Sequence, residues 1–255
     1  MRRILFVGNW EAHCTVEETE NYFRGLVQYS SQWQHEVIIA PPFTCLDAAR
    51  KLLPPNVTLG AQDASHLGIG HNSGEIPCAL LKPLGVKYAI VGHVKRRAMG
   101  EPNERINQKM KNCLANGITP IVCVGETLNE YEQNRTKEVI EKQISECLVG
   151  AGDYTKVVVA YQPLWALGTG FYAAGDFCAI IADLIRKTVQ KLGGNPMAAN
   201  FPILYGGSVT ADNAREYLEA GDVDGLLVGP ASTKAETFHK IVQTKFSIKK
   251  FNQEP

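Results

Sequence analysis

Eight short runs dominated by Val, Ile and Leu recur down the chain, and each is followed by a longer stretch of helical period. The runs read ILFVGN, EVIIAP, VTLGAQ, YAIVGH, PIVCVG, VVVAYQ, PILYGG and GLLVG. None alternates apolar with polar residues. Such runs predict strands covered on both faces, as in a parallel sheet flanked by helices. Helical periodicity follows over Thr15 to Tyr29, Pro102 to Ala115, Leu128 to Leu148, Asp176 to Lys191, Ala211 to Ala220 and Ser232 to Gln243. Eight such units in 255 residues, with no Ser/Pro-rich linker between them, predict a single closed (β/α)8 barrel domain over residues 1–255. A doubly wound open sheet is the alternative. Its first strand-to-helix turn needs a GxGxxG fingerprint, and GNWEAHC is not one.

Charge and cysteine content narrow the function classes. Twenty-six basic residues balance 26 acidic ones, so no global field draws the chain to nucleic acid or to an anionic membrane. Any anion affinity has to be local. The seven cysteines, Cys14, Cys45, Cys78, Cys113, Cys123, Cys147 and Cys178, are scattered and show no metal-ligand spacing, which predicts reduced, mostly buried thiols and no metal. The opening MRRILFVGNW has too short an apolar run for a signal peptide or a membrane span, so a cytoplasmic protein is expected. The sequons at Asn56 and Asn134 are then without meaning, and the charged runs EETENYFRGL and LNEYEQNRTKEVIEKQ read as solvated helical faces.

In a barrel of this kind the functional site lies at the C-terminal ends of the strands. The residues closing the runs are Asn9 and Glu11, Gln62, His93 to Arg97, Glu126, Gln162, Gly206 to Ser208, and Gly229 with Pro230.

Several of these residues sit in longer motifs: GNW at 8–10, GAQD at 60–63, VKYAIVGH at 86–93, RR at 96–97, CVGET at 123–127, WALGTG at 165–170, YGGSV at 205–209 and VDGLLVG at 223–229. In this order and spacing, from about Ile4 to Phe246, the chain resembles the triosephosphate isomerase family. The resemblance implies a TIM barrel, interconversion of glyceraldehyde 3-phosphate and dihydroxyacetone phosphate in glycolysis and gluconeogenesis, and no cofactor. It implies that Asn9 binds substrate and that His93 polarises the substrate carbonyl. At Gln162, however, the family has the glutamate that moves the proton, and an amide cannot take up a proton near neutral pH. Glu11 stands where the family has a lysine that attracts the phosphate and the developing enediolate. Val94-Lys95-Arg96-Arg97 replaces Ser-Glu-Arg-Arg, so a hydroxyl is lost and an acid becomes a base. The two sign changes together keep an attractive pair between Glu11 and Lys95, read either as structural retention or as a new catalytic arrangement.

Of the backbone groups that hold phosphate in the family, Gly168, Ser208 and Gly229 match, while the last glycine is Pro230, which has no N–H. One donor lost to a charged ligand costs about 1.5–3 kcal/mol. A small phosphorylated or anionic ligand is therefore still expected, more weakly held. Alternatively, Gly206, Gly207 and Gly229 serve only turns whose φ needs glycine. Pro163-Leu164-Trp165 keeps the form of the family's first lid hinge, and Phe171-Tyr172-Ala173 replaces a second hinge that usually starts with lysine. The 65–76 loop aligns with the one that enters a neighbouring subunit's pocket, with Ser73 at its tip and Glu75 and Arg96 matching residues that pair across that contact. The resemblance thus implies a homodimer, unless the loop caps its own barrel.

A positioned base contributes ~10²–10⁴ in rate and a positioned electrostatic stabiliser about 10²–10³ more, so losing both raises the barrier by roughly 5–10 kcal/mol. Three readings follow: a catalytically silent binding or scaffold barrel, an altered enzyme using Glu11 with Lys95 or His93 on another carbonyl compound, and a weak residual isomerase.

Overall fold

The computed structural model describes residues 3–166, 172–193 and 201–247. Eight strands, β1 (Leu5–Asn9), β2 (Glu36–Ala40), β3 (Val57–Ala61), β4 (Tyr88–Val91), β5 (Thr119–Val124), β6 (Val158–Tyr161), β7 (Ile203–Tyr205) and β8 (Gly225–Val228), pair in chain order into a closed barrel. Every pairing is parallel. The ring closes where Leu5 of β1 registers with Gly225 of β8. Gly225 has φ +146°, and a Cβ there would lie 1.8 Å from the Leu5 carbonyl oxygen, so only glycine fits the closure.

The unbroken apolar runs have a direct cause in this geometry. Successive strand residues point to opposite faces. Leu5, Val7, Ile38, Ala40, Ile90, Ile121, Val158, Ala160, Leu204 and Leu227 belong to an inner cluster that fills the barrel. Their neighbours Phe6, Val37, Ile39, Val91, Val122, Val159 and Ile203 belong to the outer cluster that meets the helices. Both faces are dry, so both are apolar.

The helices among the described residues are α1 (Val16–Ser30), α2 (Leu46–Leu52), α3 (Cys78–Leu81), α4 (Val94–Ala98), α5 (Asn103–Ala115), α6 (Leu128–Glu132), α7 (Thr136–Leu148), α8 (Gly175–Gly193), α9 (Ala214–Glu219) and α10 (Ala235–Val242). α1 starts on a capping box between Thr15 and Glu18, which satisfies two otherwise orphaned backbone donors. The stretch read as one helix over 128–148 is two, separated at Asn134, whose φ of +57° leaves the right-handed region. Six of the seven cysteines are buried and all are free thiols. Among the described residues no helix is long and apolar enough to cross a membrane.

Candidate active site

At the C-terminal mouth of the barrel lies a cavity of about 380 Å³ whose lining includes Asn9, Glu11, His93, Lys95, Gln162, Ser208 and Gly229. The sequence-derived candidates converge there from β1, β4, β6, β7 and β8. Gly168 lies outside the described residues, as does Phe171.

Gln162 follows β6 and is 2% exposed. Its backbone N–H donates to the Val124 carbonyl at 2.7 Å, continuing the sheet ladder one residue past the strand. Its side chain is held from two sides. Oε1 accepts from the Val94 N–H at 3.4 Å, and Nε2 donates to the Gly206 carbonyl at 3.3 Å. One contact needs an acceptor and the other a donor, which an amide supplies and a carboxylate does not. Two glycines make the space. A Cβ on Gly206 would come within 2.8 Å of Gln162 Cγ, and one on Gly125 within 1.8 Å of the Gln162 carbonyl oxygen.

Glu11 sits in the turn after β1 with φ +52°, a left-handed conformation that costs a non-glycine residue about 1–3 kcal/mol. The turn is stitched from the neighbouring strand end. Gln62 Nε2 donates to the carbonyls of Glu11 at 2.8 Å and Ala40 at 3.0 Å. The pair expected from the two sign changes is present, with Lys95 Nζ 3.0 Å from Glu11 Oε2. Lys95 is the solvated partner, 64% exposed against 22% for Glu11. The other carboxylate oxygen, Oε1, faces the turn after β8, 3.7 Å from where a Cβ on Gly229 would stand.

His93 is both the last residue of the β4 turn and the N-cap of α4. Its Nδ1 accepts from the Lys95 N–H at 3.4 Å, which puts the ring proton on Nε2. Burial holds the imidazole below the usual histidine range; Glu11 opposes that shift and Lys95 adds to it. A neutral ring with a free Nε2–H is a hydrogen-bond donor to a carbonyl. Asn9, at the end of β1, is 5% exposed, and its Oδ1 has no hydrogen-bond partner among the described residues.

On the anion side the structure revises one reading. Gly206, Gly207 and Gly229 do not adopt the left-handed φ that would have explained them as turn glycines. Gly206 and Gly207 are required by crowding instead, since a Cβ on Gly207 would stand 2.2 Å from the Tyr205 hydroxyl oxygen. Gly229 has neither constraint, having φ −78° and only ordinary contacts around it. Ser208 Oγ donates to the Ala166 carbonyl at 2.7 Å.

Two residues given no role in the sequence reading, Gln62 and Glu126, prove central. Glu126, fully buried after β5, accepts from Trp165 Nε1 at 2.8 Å and Tyr161 Oη at 2.9 Å, and its carbonyl accepts from the Leu164 N–H at 3.0 Å. It thereby ties the 163–165 segment to β6. Gln62 sets the Glu11 turn as described. Sequence marks them by strand-end position and by the GAQD and CVGET motifs but not by partner, since the partners lie 39 and 51 residues away.

The 65–76 loop is closed at its base by the Ser65 N–H on the Ile76 carbonyl, and Asn112 of α5 donates to the carbonyls of Ser65 and His66. Ile69 in this loop is 73% exposed. Arg96, expected to pair across a subunit contact, pairs within the chain with Asp63 at 3.3 Å, and Glu75 accepts from Ser65 Oγ at 2.5 Å. Among the described residues no three His, Cys, Asp or Glu side chains are grouped as a metal would need.

A model of the triosephosphate isomerase family matches residues 4–245. The chain is 40% identical over 249 residues to the triosephosphate isomerase of Dictyoglomus thermophilum, covering 96% of this chain and all of that protein. It is 41% identical over 247 residues to that of Aquifex aeolicus, covering 95% and 99%, and 36% identical over 249 residues to that of Clostridium tetani, covering 96% and 98%.

Proposed function

Because this chain belongs to the triosephosphate isomerase family, we propose that it keeps the family's barrel and cavity without the family's proton transfer, and works as a binding or scaffold barrel. The observation that carries this reading is Gln162, whose amide is held between the Val94 N–H and the Gly206 carbonyl. It lines the cavity, and proton abstraction there would need a base that an amide is not. His93 keeps the geometry of a carbonyl-polarising donor, so binding a carbonyl or hydroxyl compound needs no new part. The anion contacts of Ser208 and Gly229, with Gly168, are the weaker part of the inheritance, because Pro230 offers no donor and Glu11 faces the same turn. A homodimer through the 65–76 loop and a cytoplasmic location accompany the proposal, supported by the exposed Ile69 and by the family itself.

The test is isomerisation of glyceraldehyde 3-phosphate by the native chain beside Glu11→Lys/Gln162→Glu, and beside that variant with Val94→Ser and Lys95→Glu added. A native rate at background with turnover in the fuller reversion supports the proposal. Native turnover well above background ends it.

One observation favours a second reading, an altered enzyme. Glu11 brings a carboxylate into the same cavity as the His93 donor, and those are the two groups that proton abstraction beside a carbonyl requires. Glu11→Gln separates the readings, since it abolishes turnover of a carbonyl substrate if Glu11 is the base.

A further inference from the structure

Resting on the reading that this cavity binds without isomerising, we propose that its ligand is a small cationic compound: a protonated amine on a three- or four-carbon chain that carries a hydroxyl or carbonyl on the neighbouring carbons. The site has the opposite electrostatic preference from one built for a phosphate ester.

Two acceptors in the cavity lack a full complement of donors. Asn9 Oδ1 is buried with no hydrogen-bond partner among the described residues. Glu11 presents Oε1 to the Gly229 turn while Oε2 holds Lys95. A ligand hydroxyl can satisfy buried Asn9 whatever the ligand's charge, but Glu11 needs a donor, and a phosphate dianion brings none. An anion entering toward Gly229 meets the Glu11 carboxylate there, and Pro230 has no N–H to offset the repulsion. An ammonium in the same place gains a charge-assisted hydrogen bond.

Lys95 does not pre-empt the role. It is 64% exposed, and an ion pair with one solvated partner is weak enough for a ligand cation to displace or share. The remaining polar group of the ligand is accounted for by His93, whose Nε2–H is available to an oxygen acceptor. Gln162 does not compete for the ligand, since both ends of its amide are engaged. A space of about 380 Å³ takes a three- or four-carbon molecule with a few waters, each occupying about 30 Å³.

The test uses the full chain and three probes on one carbon skeleton: 3-amino-1,2-propanediol, glycerol and glycerol 3-phosphate. Binding is measured by calorimetry and ligand-observed NMR at neutral pH and low salt. The amine is expected to bind at least tenfold tighter than the phosphate. Glu11→Gln should remove that preference, so that amine and glycerol bind alike, and the charge-reversed pair Glu11→Lys/Lys95→Glu should invert it with the fold's ion pair retained. Tighter phosphate binding by the native chain overturns the proposal. So does amine binding that ignores Glu11→Gln, or no binding of any probe by chain that unfolds cooperatively. Isomerase turnover is read on the same samples. Turnover with an amine preference defeats only the loss of proton transfer, and silence with a phosphate preference defeats only the cationic ligand.

Discussion

Gln162 donates its Nε2–H to the carbonyl oxygen of Gly206 at 3.3 Å, a contact that a carboxylate cannot make. In Gln162→Glu two acceptors face each other in a buried site. Repulsion and burial both disfavour the charged form, and the new carboxyl is expected to titrate above the ordinary value of about 4.3. A raised folded-state pKa gives stability that is complete below the unfolded value and declines as pH rises through the folded one. Relative to the native chain, the variant should lose about 1.4 kcal/mol for every tenfold weakening of the carboxyl's acidity on folding. Melting temperatures of the two proteins between pH 4 and 8 measure this, and a difference that stays flat would show that the Gly206 contact does not constrain the side chain.

The Glu11–Lys95 pair is close but half solvated, at 3.0 Å with Lys95 64% exposed. Such pairs couple by about 0–1 kcal/mol. A denaturation cycle of Glu11→Gln, Lys95→Gln and both together should give a coupling in that range that vanishes in high salt. Coupling of several kcal/mol would mean that the pair is a structural anchor of the mouth.

Lys109 is a different case. It is 3% exposed, and its Nζ lies 2.7 Å from Asp63 Oδ1 and 2.5 Å from Glu101 Oε1. Burial raises the Asp63 carboxyl while Lys109 pulls it back down. Lys109→Met leaves the buried Glu101 carboxylate without its cation and half-buried Asp63 with Arg96 alone, and the expected loss is about 3–5 kcal/mol. Urea unfolding checks this; a loss below about 1 kcal/mol would contradict the buried arrangement.

Burial pushes His35, His93 and His239 below the usual histidine range. His239 also accepts from Trp33 Nε1 through Nδ1 at 3.1 Å, a contact that its protonation would end. With folded values below the unfolded value of about 6.5, the unfolded chain binds more protons as pH falls. Stability is therefore full above that value and declines as pH drops from about 6.5 toward the lowered folded values. Melting temperatures over this window, with imidazole NMR midpoints, test it. Midpoints at or above about 6.5 for all three rings would refute the assignment.

The eight strands were readable because a parallel barrel dries both strand faces, and a run such as Val158–Tyr161 then carries no polar interruption. Short helices left no comparable mark. Val94–Ala98 spans little more than one turn, too few residues for a 3.6-residue period to register, although it orients His93 and Lys95. The break at Asn134 was hidden for a related reason, since charged residues on either side keep a helical pattern that the backbone abandons. That Glu11, Val94, Lys95 and Gln162 lie just past strand ends was visible in the chain itself. What surrounds them was not. The Gly206 carbonyl that fixes Gln162, the Gln62 amide that fixes Glu11, and the Asp63 carboxylate that takes Arg96 all come from other strands, and such partners are set by the barrel's closure.

The pairing of Leu5 with Gly225 has a consequence for how the protein comes into being. One edge of β1 stays open until β8 has been made, and the residue that completes that edge tolerates no side chain. During synthesis the nascent chain thus exposes an unpaired strand edge for many seconds at about 5–20 residues per second. Substituting Gly225 would prolong that exposure past release, turning a local backbone constraint into a determinant of how much protein escapes aggregation.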